Sequence, residues 1–357
     1  MSRFHTLTVQ DVRQESRDAV SIAFAIPDEL KDTFRFTQGQ YLTLRREIDG
    51  EEIRRSYSIC TGTLDNEIRV AVKQVPEGRF STFANQSLSV GDTLEVMPPQ
   101  GRFFTSLNPE RQGHYLAVAA GSGITPILSI IATTLEVEPR SRFTLLYGNR
   151  STAGTLFRDR LQGLKDRYLE RLNLVYIFSR EEQEVALYNG RIDADKCHAL
   201  FDRWLDVKGL EAAFLCGPLE MTEQASEALK AHGLASERIH RELFGTATAG
   251  NKPRQATGVG QVDVDQARVE VMIDGRRLAF EMPRDGESIL EAGNAHGAEL
   301  PFSCQAGVCS TCLAKVEEGE VEMYANYALE DYEIEAGLVL SCQCRPVSDT
   351  VILNFDH

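Results

Sequence analysis

Cys304-Gln305-Ala306-Gly307-Val308-Cys309-Ser310-Thr311-Cys312, followed by Cys342, is the stretch on which the reading of the fold turns. Its spacing is C-x4-C-x2-C, with a fourth cysteine thirty positions on. That is the spacing of a [2Fe–2S] site. Three thiolates within nine residues must curl around an anionic sulfide core, with backbone N–H groups turned inward. Gly307, inside the first gap, permits backbone angles and a close approach that a Cβ would hinder. The alternatives are a structural zinc site, which favours paired C-x2-C spacings, and unliganded thiols. The fourth ligand is Cys342, at the end of the strand-like Leu338-Val339-Leu340-Ser341-Cys342, or Cys344 two residues later. Of the remaining cysteines, Cys60 and Cys197 read as buried small hydrophobes.

The loop sits in a β-rich C-terminal segment, residues 267–357. Val269-Glu270-Val271-Met272-Ile273, the turn Asp274-Gly275 and Leu278-Ala279-Phe280-Glu281 read as a hairpin. This segment carries 17 acidic and 6 basic side chains, a net −11 of the chain's −15. Such acidity excludes nucleic-acid binding by counterion release. It suits docking onto a basic protein surface, or simply solubility. Ahead of it, residues 246–266 are small and polar and read as a linker.

Two further domains precede the linker, in keeping with a chain of 357 residues. Residues 1–107 read as an antiparallel β-barrel or sandwich. Glu67-Ile68-Arg69-Val70-Ala71-Val72-Lys73 alternates with period two, as a half-buried strand does. Residues 112–245 alternate buried-type strands with helices over Pro126–Leu135 and Leu156–Arg167, the pattern of an α/β domain with a parallel sheet. Hydrophobic residues make up 42% and charged residues 25% of the chain, and no window approaches a membrane span. The N-terminus lacks a secretory h-region. A cytoplasmic protein is expected.

The first two domains carry phosphate-binding chemistry. Arg55-Ser56-Tyr57-Ser58 starts a strand, and Lys73 and Gly78-Arg79-Phe80-Ser81 follow. Gly78 and Ser81 would open a helix, whose N-terminus is an anion site. An Arg facing that terminus supplies the other half of a pyrophosphate clamp. Ala120-Gly121-Ser122-Gly123-Ile124-Thr125-Pro126 follows a buried strand and precedes a helix. Two glycines let backbone approach phosphate, and Pro126 suits the first helical position. Tyr147-Gly148-Asn149-Arg150, Ser179-Arg180 and Cys216-Gly217-Pro218 end the other strands, where a parallel sheet places its ligands.

The order of these motifs resembles the ferredoxin–NADP reductase family carrying a C-terminal plant-type ferredoxin domain of β-grasp type. The resemblance implies FAD, held by Arg55 at the pyrophosphate, Tyr57 on the ring and Ser58 near N5, with Lys73, Gly78 and Ser81 beside them. It implies a nicotinamide loop at Gly121, Gly123, Thr125 and Pro126, completed by Asn149 and Arg150. Ser179 and Arg180 would clamp a 2′-phosphate, so NADPH is expected, and Tyr188 resembles a further contact there. Cys216 and Gly217 would lie beside the nicotinamide, with Ser58 and Cys216 nearest the hydride. Glu242-Leu243-Phe244 resembles the family's terminal acid-x-aromatic, with Phe244 near the flavin. The Ser-Cys-Gln ending favours Cys342, with Cys304, Cys309 and Cys312, as the cluster ligands. The whole chain further resembles reductase subunits of ring-epoxidising di-iron oxygenases, which implies oxygenase subunits as partner. The reductase of a steroid hydroxylase or Rieske dioxygenase, and a redox-sensing module, are the alternatives.

Overall fold

The computed structural model describes residues 4–244 and 265–356. They divide into two compact units after Phe244. Of the linker placed at 246–266, residues 246–264 lie outside the described residues, and Gln266 already belongs to a strand.

The first unit begins with β1 (His5–Ser16), β2 (Ala19–Ala25), β3 (Tyr41–Ile48), β4 (Glu51–Ser58), β5 (Ile68–Lys73), helix α1 (Arg79–Gln86) and β6 (Thr93–Val96). The strands form one antiparallel sheet in the order β4-β3-β6-β1-β2-β5. A bridge between Ile59 and Val70 joins its two edges, closing a barrel filled by Leu7, Ile22, Leu42, Val70 and Val72. The expected one-sided burial of β5 is not what the fold shows: Arg69 and Ala71, on the outward face, are buried too. Ala71 packs with Ala19, Cys60 and Phe103 into the core of the following domain. Arg69 stays charged there because Asp11 and Glu67 pair it and Ser21 accepts a further bond at 2.9 Å.

The second sheet is built from β7 (His114–Ala120), α2 (Ile124–Val137), β8 (Arg142–Asn149), α3 (Arg158–Arg167), β9 (Leu172–Phe178), α4 (Ala194–Trp204), β10 (Ala212–Gly217), α5 (Leu219–Ala231) and β11 (Ile239–Leu243). Its order is β11-β10-β7-β8-β9, and every pairing is parallel. Helix α2 is apolar around most of its circumference, and twelve of its fourteen residues are buried. Such a helix is covered on both sides, and α2 shares its core with residues of the barrel. It starts at Ile124, so Pro126 is its third residue and not its first. The missing N–H costs nothing there, because the first four N–H groups of a helix have no internal partner. The carboxylate of Glu138, fully buried beyond the end of α2, pins the connector between barrel and sheet. It accepts from Asn108 N at 2.9 Å, Tyr115 Oη at 2.9 Å, Ser141 Oγ at 2.8 Å and Arg111 at 3.2 Å.

The second unit contains β12 (Gln266–Ile273), β13 (Arg276–Pro283), α6 (Ile289–Ala295), β14 (Leu313–Glu318), β15 (Val321–Met323), α7 (Asp331–Glu335), β16 (Leu338–Leu340), β17 (Cys344–Pro346) and β18 (Thr350–Asn354). A mixed sheet runs β13-β12-β18-β14-β16, and β15 pairs with β17 beside it. Asp274 and Gly275 take φ of 51° and 69°, the two left-handed positions of a tight hairpin turn. The Asp356 carboxylate caps that turn, accepting both N–H groups at 2.7 and 2.8 Å. Helix α6 opens with a reciprocal Ser288–Glu291 cap and buries Ile289 and Leu290 in the core with Val269, Val271 and Leu353. The arrangement is β-grasp-like. Among the described residues no helix is long and apolar enough to cross a membrane.

Candidate functional site

In the second unit, residues 304–312 wrap a short irregular loop between α6 and β14. Gly307 has φ of 73°, and a Cβ there would meet the Ala325 carbonyl oxygen at 2.6 Å. Gln305 and Ser310 also adopt positive φ, at 52° and 47°, so the loop is tightly coiled at some conformational cost. Its N–H groups turn onto sulfur: Ala306 N donates to Cys304 Sγ, and Cys304 N to Cys309 Sγ, both at 3.4 Å.

The thiols fall into two pairs. Cys304 bonds to Cys309, and Cys342 to Cys312. These bonds, with inward N–H groups, hold the Cys304 and Cys342 thiols below their ordinary pKa. Two pairs of thiolates suit a cluster of two irons. The donor set therefore fits [2Fe–2S]. The strand carrying Cys342 does not run on to Cys344: residues 341–343 form a 3-10 turn, and Cys344 starts β17. The buried Cys344 thiol donates to Leu340 O at 3.2 Å.

In the first unit, Arg55, Tyr57 and Ser58 lie on β4. The start of α1 packs against that strand, since Arg79 pairs with Glu51 and the Phe80 ring lies 5.6 Å from that of Tyr57. Gly78 is the N-cap of α1 and offers no side-chain cap, so the terminus keeps its N–H donors for a ligand. Arg55 is exposed and bonds only to the Arg54 carbonyl, at 2.7 Å, leaving its charge unpaired among the described residues. Ser81 and Lys73 are engaged locally. The Ser81 hydroxyl donates to Gly78 O at 3.0 Å and accepts from Val75 N at 3.2 Å, and Lys73 pairs with Asp18 at 3.4 Å. Ser81 thus shapes the turn with its hydroxyl, leaving its backbone N–H for an anion.

The nucleotide loop runs through a 3-10 turn at Gly121–Gly123. Gly121 has φ of 54° with open space where a Cβ would stand. Gly123 is required for another reason: a Cβ there would lie 2.2 Å from Cys216 O, so the loops after β7 and β10 are in backbone contact. Tyr147 Oη props the loop from below, donating to Gly121 O at 3.0 Å, and Thr125 Oγ1 ties to Ser122 O at 3.1 Å. Asn149 lies at the end of β8 beside Tyr147, and its buried Nδ2 makes no close hydrogen bond among the described residues. Ser179 N and Arg180 N bond to Asn149 O and Arg150 O at 3.0 and 2.9 Å, bringing both arginines to the same edge. The Tyr188 ring packs on Trp204 at 5.6 Å.

Between barrel and parallel sheet, three polar or titratable side chains come together. Ser58 Oγ donates to Glu242 Oε2 at 3.2 Å across 184 positions. Glu242 stands in register with Cys216 on the adjacent strand. Burial pushes the Glu242 carboxyl up to about 8, offset in part by the Ser58 bond. Burial pushes the Cys216 thiol well above its ordinary value, and the Glu242 carboxylate adds to this. Cys216 is accordingly a neutral packing surface, not a thiolate. The sequence motif names Phe244 as its site residue; the structure gives Glu242 the polar contact, while Phe244 packs against the core. Only the spacing Glu242-x-Phe244 at the chain's turn into the linker signals it.

Comparison with known proteins follows the same division. Residues 6–105 match the model of the oxidoreductase FAD-binding domain, 117–227 that of the oxidoreductase NAD-binding domain, and 271–347 that of the 2Fe-2S iron-sulfur cluster binding domain. The chain is 48% identical over 356 residues to one of the subunits of the 1,2-phenylacetyl-CoA epoxidase of Escherichia coli K12, covering 100% of this chain and 99% of that protein. It is 34% identical to the ferredoxin reductase component of 3-ketosteroid-9-alpha-monooxygenase of Rhodococcus rhodochrous, covering 99% and 97%. Among solved structures it is similar to phthalate dioxygenase reductase, with a TM-score of 0.60, 24% identity and coverage of 99% and 98%. The chain belongs to the ferredoxin–NADP reductase-like oxidoreductases that unite an FAD, an NAD(P)H and a [2Fe–2S] domain on one polypeptide and carry electrons between those three cofactors.

Proposed function

We propose that this chain is the cytoplasmic reductase component of a phenylacetyl-CoA epoxidase, delivering electrons from NADPH to a di-iron oxygenase in aerobic phenylacetate degradation. The observation that carries the reading is the 48% identity to the Escherichia coli protein over the whole of both chains. The 34% identity of the ketosteroid monooxygenase component leaves that partner as the competing reading. The experiment is reconstitution: the oxygenase subunits, phenylacetyl-CoA, NADPH and this chain, with epoxide formation measured. Epoxidation dependent on the chain supports the proposal; its absence, with ketosteroid hydroxylation in the parallel assay, overturns it.

When bound, FAD and the [2Fe–2S] cluster convert the electron pair of a hydride into single electrons, the form an iron oxygenase consumes. The chain's residues serve that conversion as follows. Arg55 and the N-terminus of α1 would hold the flavin pyrophosphate, Tyr57 would cover the ring, and Ser58 would lie at its reactive edge. Gly121, Gly123, Thr125, Pro126, Asn149 and Gly217 shape the nicotinamide nucleotide's seat. Cys216 packs beside the hydride path, with Glu242 fixing the Ser58 hydroxyl. Cys304, Cys309, Cys312 and Cys342 hold the cluster.

NADPH is favoured over NADH by charge at the sheet edge. Arg150 and Arg180 are exposed and form no ion pair among the described residues. The nearby Glu181 carboxylate is engaged by Thr152 N at 2.7 Å and Thr152 Oγ1 at 2.6 Å. The acidic second unit favours an oxygenase with a basic docking surface.

A further inference from the structure

The second unit exposes aromatic surface beside its cysteine loop. Tyr324 is 48% exposed and Tyr327 42% exposed, two large rings open to solvent within four residues of each other. Both are bound through their backbones to the loop region. Tyr327 N donates to Gly307 O at 2.9 Å, and Tyr324 N donates to Gln343 O at 3.0 Å. Gln343 in turn bonds through Nε2 to Gln305 O at 3.0 Å. The rings therefore stand at the edge of the cysteine loop itself.

Tyr324 is also held in place. The Arg345 guanidinium lies 4.6 Å over its ring and donates to its hydroxyl at 3.3 Å. Residues 267–357 carry only six basic side chains against 17 acidic ones. Arg345 sets its guanidinium on the Tyr324 ring, Glu322, in register with Arg345 on the paired strand, also bonds that tyrosine, and Asp331 and Glu335 stay exposed nearby in sequence. A ring fixed before binding loses little entropy on contact, which is what distinguishes an anchoring residue from a passive one.

We infer that Tyr324 and Tyr327 are the apolar anchor by which the second unit docks its external electron acceptor, a protein offering an apolar recess rimmed by basic side chains. This deepens the proposed function and rests on it. The external acceptor is the occupant because the flavin unit is joined to the second unit in one chain. A tether supplies an effective concentration of order millimolar, so the internal encounter needs no anchor, whereas a diffusing partner does. Charge and anchor have separable signatures. Steering by exposed acids fades with salt, and burial of a tyrosine ring does not.

The test uses the full-length holoprotein and the oxygenase subunits of the epoxidase as acceptor. Tyr324→Ala and Tyr327→Ala should each raise the KM for the oxygenase at least tenfold, at about 0.05 M and about 0.5 M salt alike. Reduction of the protein's own cluster by NADPH should stay within about twofold of wild type, and Tyr324→Phe should retain most of the wild-type KM. Slower internal reduction with an unchanged KM would assign these rings to the internal step and overturn the inference. An effect confined to low salt, or none, would overturn it as well. Should Tyr324→Ala bleach the cluster, Arg345→Leu decides: it frees the ring, must raise the KM about threefold or more, and an unchanged KM refutes the anchor. Failure of the proposed function itself reads differently, as no transfer from the wild-type protein to this oxygenase.

Discussion

The cysteine loop takes three of its four donors from nine consecutive residues, whereas the flavin–nicotinamide site joins Ser58 to a carboxylate 184 positions away. The first depends on local backbone geometry, on Gly307 at φ of 73° and inward N–H groups. The second depends on how a barrel packs against a parallel sheet, through the shared core of Ala71, Cys60, Phe103 and α2. One site is a property of a loop and the other of an interface. They should therefore fail separately.

The largest effect tests that separation. Cys304→Ser, Cys309→Ser, Cys312→Ser or Gly307→Val should abolish the visible absorbance of the cluster, with flavin reduction by NADPH within about twofold of wild type. Collapse of both activities together would break the comparison. Cys342→Ser should behave like the first three, and Cys344→Ser should keep its cluster.

Next comes the converse. Gly123→Ala places a Cβ 2.2 Å from Cys216 O, forcing apart the two loops beside the nicotinamide. Misplacement of about 1 Å at a reacting centre costs about a hundredfold, so stopped-flow hydride transfer should fall by that order. Chemical reduction of the cluster by dithionite should be normal.

A smaller effect sharpens the chemistry of the sheet edge. Arg180→Ala removes a charge-assisted phosphate contact of about 1.5–3 kcal/mol. The KM for NADPH should rise at least tenfold and that for NADH hardly change. Equal wild-type efficiency with the two nucleotides would remove the basis for NADPH preference.

Salt tests the surface of the second unit. Reversing charge at Glu318 and Glu320 should lower the rate of transfer to the oxygenase several-fold at low salt and flatten its salt dependence, since charges are screened beyond about 8 Å at physiological ionic strength. A rate indifferent to salt and to both reversals would leave the acidity with solubility alone.

The smallest effect concerns Glu242. Its carboxyl rises from 4.5 to about 8 on folding, so the folded state binds a proton that the unfolded chain releases at lower pH. That contribution to stability is fully present below about pH 4.5 and is lost as pH climbs through about 8. Thermal midpoints should fall over this window in the wild type and fall less in Glu242→Gln. Parallel curves would show that Glu242 ionises freely in the fold.

Much of this architecture is legible in the sequence, and particular residues show why. The period-two run at β5, the hairpin at Asp274-Gly275 and the glycine loop at 121–123 each encode a backbone conformation in adjacent residues. The errors share a cause. Ala71 and Arg69 alternate with valines, so β5 reads as one-sided; the second face is covered by residues of another domain, which alternation cannot reveal. The side chains of Ser81 and Lys73 are engaged within the barrel by Val75, Gly78 and Asp18, contacts that the motif does not encode. Pro126 sits two residues deeper in α2 than a first-position proline, because Gly123 can already serve as the cap.

Sequence alone determined the domain order, the cluster motif and the acidity of the last quarter, because each is written in contiguous residues or in simple counts. Tertiary structure decided that Cys312 comes together with Cys342, and set Cys344 at the start of β17 with its thiol on Leu340 O. The difference of two positions there becomes a difference of direction only once a 3-10 turn bends the chain. It also decided that Glu242 reaches Ser58. A hydrogen bond across 184 positions is set by the packing of two sheets, and no local propensity encodes that distance.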